Sequence, residues 1–363
     1  MGEILRVLMI TQKVDLDDDV LGFTHTWVNK LAERVAQLYV LALSVGRYEL
    51  RENVTLYSMG KERGAGRLRR FVNFTCVVAP LLLRRRVDVV FVHMVPLYAI
   101  LAAPWARLAG VPMVMWYAHG HVSYTLKIAH WLVERVVSST PEGFRLPSEK
   151  LVIVGQGIDT EIFKPAEGSR PSRPFTVLSV GRISPVKDYE TLIEAADILV
   201  NQRGRRDLRF VVVGDAGTPE QRMYQDGLLT QLQKRGLSKY IQFAGSVPYD
   251  QIQQYYQMAD LCVNTSQTGS LDKAALEAMA CGLLILTCNE AFTEILGDYA
   301  DRLMFEKGNA GELAEKILDV YQTNAETRLV LGGALRGIVV QRHSVERLMS
   351  QIVKVFKGLT KNT

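Results

Sequence analysis

Short apolar runs alternate with helix-like segments along the whole chain. In the first half these runs lie at residues 7–10, 39–43, 87–92, 113–117 and 136–139. They are continuously apolar, which is typical of strands covered on both faces, as in a parallel sheet with helices on either side. The pattern therefore predicts an α/β fold built on a parallel sheet.

The same alternation restarts after residues 163–174, a polar segment with three prolines that we interpret as an interdomain linker. The second series of predicted strands lies at residues 176–180, 209–213, 241–244, 261–264 and 283–287, with a short edge strand at 303–305. Three predicted helices follow, at residues 310–323, 326–341 and 345–359. Because single cores stop growing at about 250–300 residues, a chain of 363 residues predicts two doubly wound, Rossmann-like domains.

The longest apolar stretch, residues 98–118, does not predict a membrane span. Pro104, Arg107, Gly110 and Pro112 divide it into a helix and a following strand. The first ten residues lack the long apolar region of a secretory signal, so we expect a cytoplasmic protein. The four cysteines show no metal-binding or paired spacing, and we expect reduced, buried thiols at Cys76, Cys262, Cys281 and Cys288.

The formal net charge of +5 includes a basic cluster around the apolar segment 71–83. Only Glu62 opposes this cluster, whose cations are Lys61, Arg63, Arg67, Arg69, Arg70, Arg84, Arg85 and Arg86. A basic amphipathic segment suits a peripheral contact with an anionic membrane or an anionic acceptor. A solvated helix face explains the same residues equally well, and we expect no nucleic-acid partner.

The sharpest chemical signal follows the first predicted strand of the second domain. Gly181 allows the backbone to turn, Arg182 and Lys187 follow five residues apart, and a helix then opens. A forked guanidinium, an ammonium and a helix N-terminus suit a diphosphate. The alternative is that both are ordinary surface cations, although cations are unfavourable near a helix start.

A second signal is the glycine loop 268–272 followed by a short helix. Glu277 lies on that helix among small apolar residues, where a buried carboxylate needs a partner, and it can accept both hydroxyl protons of a ribose. The alternative is an i, i+4 ion pair with Lys273, with Asp272 as the N-cap.

These two segments, together with residues 154–165 and 243–248, resemble the family 4 retaining glycosyltransferases of the GT-B fold. The resemblance is stronger from about residue 175 onward. It implies an N-terminal acceptor-binding domain (1–165), a C-terminal nucleotide-sugar-binding domain (166–340) and a final helical segment (341–363) that packs back on the first domain. It also implies a UDP- or GDP-sugar donor, no metal and no further cofactor.

The resemblance assigns roles to individual residues. It places Arg182 and Lys187 on the donor diphosphate, Glu277 on the ribose, and the backbone around Val247 on the base. The loop with Gly22 would lie near the donor phosphates and the acceptor.

His119, at the end of a buried strand, would lie beside the donor sugar, with His121 as a competitor for that position. The acidic residues Asp15, Asp17, Asp18 and Asp19 lack calcium-loop spacing and are interpreted as an acceptor-side loop.

One departure from the family pattern concerns the donor sugar. The pattern has two glutamates separated by seven residues, and the first of them falls on Gly269 here. The glycine that usually follows three residues later is Asp272. Sugar contacts would then come from backbone N–H groups of Ser270, Leu271 and Asp272, or from the side chains of Asp272 and Lys273.

The predicted reaction is retaining transfer of a sugar to a hydroxyl of a saccharide or lipid-linked glycan. Arg182 and Lys187 would stabilise the leaving nucleoside diphosphate. Two other functions share the architecture. A sugar-nucleotide epimerase would need acid and base carboxylates that the motifs do not supply, and a catalytically silent nucleotide-sugar-binding subunit is conceivable because of Gly269.

Overall fold

The computed structural model describes residues 5–18, 20–166, 174–267 and 269–360. Its strands are β1 (Arg6–Val14), β2 (Gln37–Val45), β3 (Val54–Ser58), β4 (Val89–His93), β5 (Met113–Trp116), β6 (Arg135–Ser138), β7 (Leu151–Ile153), β8 (Phe175–Val180), β9 (Leu208–Val213), β10 (Ile241–Gly245), β11 (Leu261–Asn264) and β12 (Leu284–Thr287). Its α-helices are α1 (Phe23–Ala32), α2 (Arg67–Leu83), α3 (Pro96–Ala109), α4 (Tyr124–Leu132), α5 (Tyr189–Asp197), α6 (Pro219–Lys234), α7 (Ile252–Met258), α8 (Lys273–Ala280), α9 (Thr293–Leu296), α10 (Ala300–Leu303), α11 (Ala310–Gln322), α12 (Ala325–Arg342) and α13 (Val345–Thr360).

The chain divides into two compact units. The first unit combines Met1–Asp159 with His343–Thr363, and the second is Thr160–Arg342. The second unit begins before the predicted boundary at residue 166. Its early start follows from Phe163, which is fully buried against the rings of Tyr249 and Tyr256.

Both units contain the predicted parallel sheet. The first sheet has the strand order β3-β2-β1-β4-β5-β6-β7, and the second has the order β10-β9-β8-β11-β12. Every strand pair is parallel. The prediction of two Rossmann-like α/β domains is therefore confirmed.

Three details of the strand prediction were wrong. The apolar runs missed β3 and β7, because β3 is only half-buried and β7 has three residues. The predicted edge strand at 303–305 is reduced to one bridge between Thr287 and Met304, since the chain before Met304 is helical.

The first sheet is buried on both faces, as its continuous apolar strands require. Helices α1 and α13 contribute to the apolar cluster on one face. Helices α2, α3 and α4 contribute to the cluster on the other face. Helix α13 supplies Leu348, Ile352 and Phe356, all fully buried, and the Phe356 ring lies edge-on to Phe91 of β4 with centroids 5.5 Å apart.

Three of the four cysteines are buried, as expected, and none forms a disulfide. The prediction was wrong for Cys76, which is exposed. Its apolar sequence neighbours lie on α2, but Cys76 itself is on the outer face of that helix.

In the second unit, α12 approaches the end of α8 closely. A Cβ at Gly332 would lie 2.1 Å from the carbonyl oxygen of Gly282, so the contact requires glycine. One turn later, the Arg336 guanidinium donates to the carbonyls of Phe163 (2.9 Å), Thr160 (3.2 Å) and Ala280. Arg336 thereby joins the start of the unit to the C-terminus of α8.

Candidate functional site

The loops at the carboxyl ends of the second sheet's strands hold most of the predicted site. Gly181 follows β8, and Gly214 follows the neighbouring β9. A Cβ at Gly214 would lie 2.0 Å from the Gly181 carbonyl oxygen, so the two turns approach through bare backbone. In parallel α/β sheets, this edge is where ligands bind.

Lys187 is paired within the protein. Its ammonium contacts the carboxylate of Asp272, and the two side chains are 17% and 10% exposed. A Cβ at Gly181 would lie 3.3 Å from Lys187 Nζ, so the ammonium lies over the bare turn. The carboxylate of Asp272 also accepts from Asn264 Nδ2 at 2.9 Å.

Asp272 is ionised in this environment. Burial alone would raise the pKa of its carboxyl, but the Lys187 charge and hydrogen bonds from Lys187, Asn264 and the Ala274 N–H hold the pKa below its usual value. The carboxylate also caps the N-terminus of α8. The N-cap interpretation from the sequence is confirmed. The ion pair between Asp272 and Lys187 was not predicted from the sequence.

Arg182 differs from Lys187. Its side chain is exposed, and it makes no hydrogen bond or ion pair within the described part of the chain. The next residue, Ile183, is fully buried and donates its N–H to the Asp215 carbonyl at 3.0 Å. Its backbone therefore holds Arg182 at the sheet edge while leaving the guanidinium available to a ligand.

A second set of contacts joins the loops after β8 and β11. Thr265 Oγ1 donates to the Lys187 carbonyl at 2.5 Å. Gln267 donates its N–H to the Val186 carbonyl at 3.0 Å and its Nε2 to Asp188 Oδ2 at 2.8 Å. Sequence reasoning missed these residues, because polar residues in a loop carry no signal of their partner.

Glu277 is buried on α8, with 5% exposure, and accepts a hydrogen bond from the Tyr256 hydroxyl at 3.1 Å. Burial raises the pKa of Glu277 to about 7, opposed by the Lys273 charge and by hydrogen bonds from Tyr256 and Tyr249. Burial likewise lowers the pKa of Lys273 to about 7. The Lys273 charge therefore acts on Glu277, as the ion-pair interpretation expects, and the ribose contact stays a prediction.

The loop before α8 has a backbone that favours glycine. Gly269 has φ +63°, in the left-handed region, where a glutamate would be strained. The Ser270 carbonyl accepts from Asn289 Nδ2 at 2.7 Å, and Leu271 is buried. Gly269 therefore occupies a backbone conformation that favours glycine over the glutamate of the predicted motif. Thr268 lies outside the described residues.

Val247, predicted near the base, is half-buried just beyond the end of β10. The Gly245 carbonyl at that strand end accepts the Gly214 N–H at 2.9 Å. The loop after β10 is thereby tied to the turn after β9, beside Gly181.

In the first unit, His119 and His121 are both exposed beyond the end of β5. His119 Nδ1 accepts the His121 N–H at 3.0 Å, so a neutral His119 ring carries its proton on Nε2. The His119 N–H donates to the Gly143 carbonyl at 2.8 Å. These bonds fix the loop and leave His119 Nε2 available for a hydrogen bond to a ligand.

Gly22 is buried at the start of α1. In the acidic loop before it, Lys13 pairs with Asp15 at 2.9 Å and with Asp18 at 2.6 Å, and Arg47 pairs with Asp17 at 2.7 Å. Asp19 lies outside the described residues. Among the residues that the structure describes, no group of three His, Cys, Asp or Glu side chains could hold a metal ion.

Comparison with known proteins finds similarity mainly in the second unit. Residues 159–337 match the family model of glycosyl transferases group 1. A D-inositol 3-phosphate glycosyltransferase from Thermobispora bispora is 27% identical over 187 residues, which cover 49% of this chain and 42% of the relative. The chain thus spans less than half the length of that relative.

Solved structures share the fold over almost the whole chain. Anabaena Alr3699/HepE, solved with UDP-glucose, has a TM-score of 0.75 at 18% identity and covers 98% of this chain and 100% of its own. Sucrose-phosphate synthase from Thermosynechococcus elongatus has a TM-score of 0.78 at 15% identity and covers 99% and 100%. At such identities the likeness establishes the two-domain GT-B fold.

Proposed function

We propose, from the match of residues 159–337 to the family model of glycosyl transferases group 1, that this chain transfers a sugar from a nucleotide-sugar to a hydroxyl group. The supporting observation is the contact of Lys187, beside the Gly181 turn, with Asp272, which caps the helix that carries Glu277. Glu277 lies five residues after Asp272, or about 7.5 Å along a helix, which suits one nucleotide spanning ribose and diphosphate. The neighbour solved with UDP-glucose supports a UDP-sugar donor, with a GDP-sugar as the alternative.

The proposed chemistry is electrostatic. Negative charge grows on the diphosphate as the bond to the anomeric carbon breaks, and Arg182 and Lys187 stabilise it without a metal ion. His119, whose Nε2 is available, is assigned to the sugar. The acceptor hydroxyl attacks from the same face that the diphosphate leaves, and its proton passes to the departing diphosphate. This front-side course retains the anomeric configuration.

The proposed acceptor is a saccharide or a lipid-linked glycan at the cytoplasmic face of a membrane. Within the described residues, no helix is long and apolar enough to span a bilayer. Helix α2 instead offers a surface for peripheral contact. Its exposed residues Leu68, Val72, Cys76 and Pro80 recur at i, i+4 spacing and form an apolar stripe.

Exposed arginines lie at both ends of this stripe, at Arg67 and Arg69 and at residues 84–86. Each cation near anionic headgroups contributes about 1 kcal/mol. Helix α3 contacts both α2 and α4, and α4 adds Tyr124 and Trp131, which are 84% and 69% exposed. Exposed apolar and aromatic residues on these helices, with arginines at both ends of α2, suit an anionic bilayer.

Vesicle sedimentation tests the membrane contact. We expect binding to phosphatidylglycerol vesicles but not to phosphatidylcholine vesicles, and loss of binding in the Leu68→Ser/Val72→Ser variant. Leu329→Ser is the matched control, since Leu329 is a 70% exposed leucine on α12 in the other unit. Equal binding of both variants would contradict the α2 surface.

A donor panel tests the transferase. Purified protein is incubated with UDP- and GDP-sugars with and without a glycan acceptor, and release of nucleoside diphosphate is measured. Acceptor-dependent release supports transfer, whereas interconversion of donors without release indicates an epimerase. Tight binding without turnover indicates a silent binding subunit.

A further inference from the structure

We propose that Asp272 is an internal counter-ion of Lys187, which competes with the donor diphosphate for that ammonium and weakens the affinity for nucleoside diphosphates. The inference rests on the proposed function, because it takes Lys187 to be a diphosphate ligand. It identifies Asp272 as a residue that determines affinity.

The geometry leaves Lys187 little capacity for a second anion. The Asp272 carboxylate contacts its ammonium, and the Gly181 turn lies beneath it. Thr265 fixes the Lys187 carbonyl, which restrains the side chain at its base. A diphosphate that reaches Lys187 must therefore share the ammonium with Asp272 or displace the carboxylate.

Asp272 is held in place independently of Lys187. Asn264 Nδ2 donates to it at 2.9 Å, and the Ala274 N–H donates to it at 3.3 Å as part of the α8 N-cap. The negative charge consequently stays beside the ammonium when a ligand arrives. Like charges held close together repel, so the carboxylate opposes the arrival of a phosphate at the ammonium.

Arg182 carries no such counter-ion within the described residues, since its exposed guanidinium has no ion-pair partner there. The two cations are therefore unequal. Arg182 supplies the uncompensated charge that attracts a diphosphate, while the Lys187 contact contributes less because of Asp272. We infer that the bound nucleoside diphosphate is released more readily than it would be from two free cations.

The test removes the negative charge and keeps a helix cap. Asp272→Asn and Asp272→Ser both retain residue types favoured at N-caps. Binding of UDP and GDP is measured by calorimetry, with folding checked by circular dichroism. We expect the dissociation constant of the bound diphosphate to fall by about tenfold in both variants, which corresponds to about 1.4 kcal/mol.

The matched control is Asp260→Asn, which changes the net charge equally. Asp260 accepts the Thr176 N–H at 2.8 Å and directly precedes β11, whereas Asn264 is the last residue of that strand. We expect its dissociation constant to equal that of the wild type. Combining Lys187→Ala with Asp272→Asn tests whether Asp272 acts through the ammonium. In the Lys187→Ala background, Asp272→Asn should tighten nucleotide binding clearly less than it does in the wild type.

The outcomes distinguish this inference from the proposed function. If UDP or GDP binds, and Lys187→Ala weakens it, but neither Asp272 variant tightens it, the counter-ion inference is wrong and the donor site stands. If neither nucleotide binds the wild type or any variant, both proposals are overturned. Tightening in Asp260→Asn as well would indicate a general charge effect and would also contradict the inference.

Discussion

The ammonium of Lys187 and the carboxylate of Asp272, 85 residues apart in the chain, form an ion pair at the carboxyl edge of the second sheet. The two residues belong to different loops, one following β8 and the other following β11. These strands are hydrogen-bonded neighbours, so their ends meet at the same place. The pair therefore joins the predicted diphosphate loop to the helix that carries Glu277.

Removing either predicted diphosphate ligand should impair transfer while leaving the fold intact. We expect Arg182→Ala to lower kcat/KM for the donor by about 10²-fold, because it removes a cation aimed at the leaving group. Lys187→Ala should lower it by less, since Asp272 already offsets the charge of that ammonium. Arg182→Lys should recover only part of the loss, since an ammonium lacks the guanidinium fork. Arg203→Ala, which removes an exposed arginine paired with Glu315, is the control, and its activity should not change.

Donor binding should weaken as the pH falls below about 7. Burial raises the pKa of Glu277 to about 7. The carboxylate can accept both ribose hydroxyl protons strongly, whereas the protonated acid has lost one of its acceptor oxygens and its charge. Below this pH, binding must displace a proton, so the dissociation constant should rise by up to about tenfold per pH unit. A nucleotide-sugar is the suitable probe, because its diphosphate diester does not titrate in this range.

Calorimetry between pH 5.5 and 8 checks this expectation. The Glu277→Gln variant should bind more weakly at pH 8 and show a flat profile. An unchanged slope in that variant would assign the proton to another group and remove Glu277 from the ribose site.

Residue 269 should tolerate glycine best. At φ +63°, a side chain with a Cβ costs about 1–2 kcal/mol, and asparagine costs less than alanine because it tolerates the left-handed region. We expect Gly269→Ala and Gly269→Glu to lower the free energy of unfolding by this amount, and Gly269→Asn to lower it less. A Gly269→Glu variant with undiminished stability would contradict the requirement for glycine at this position.

Loss of Arg336 should destabilise the second unit selectively. Its guanidinium serves three carbonyls, one of them at the C-terminus of α8, and hydrogen bonds to charged groups contribute about 1.5–3 kcal/mol each. We expect Arg336→Ala to cost about 2–4 kcal/mol and Arg342→Ala, at an exposed position on the same helix, to cost almost nothing. All four tryptophans lie before residue 160. The far-UV circular dichroism transition should therefore shift while the tryptophan fluorescence transition does not.

Phe356→Ala should have the opposite signature. The ring is fully buried against Phe91 in the first unit, and truncating a buried phenylalanine costs about 3–5 kcal/mol. We expect the tryptophan fluorescence transition to move to lower denaturant concentration, with Lys357→Ala, the exposed neighbour, unchanged. An unshifted transition would mean that α13 contributes little to this unit in solution.

Much of the fold was predictable, because continuous apolar runs mark strands covered on both faces. β3 escaped detection since its residues are only half-buried, and no apolar run marks it. In the site, the glycine turn and cations at 181–187 carried their own signal, as did the buried carboxylate at Glu277. The contact between Lys187 and Asp272 had no signal in the sequence, because the N-cap role already explained Asp272. Tyr256, which donates to Glu277, lies on a helix whose pattern gives no hint of its partner.

The first unit is built from two separate stretches of the chain, and the second from one. During synthesis, residues 160–342 are complete before α13 has left the ribosome. Until α13 is made, the part of the sheet face on β1 and β4 that it covers stays uncovered. The nascent first unit must therefore keep apolar surface exposed while the whole second unit is made. The late segment forms its contacts at very long sequence separations, which slows folding. Final assembly of the first unit is consequently the step at which this chain is most exposed to aggregation.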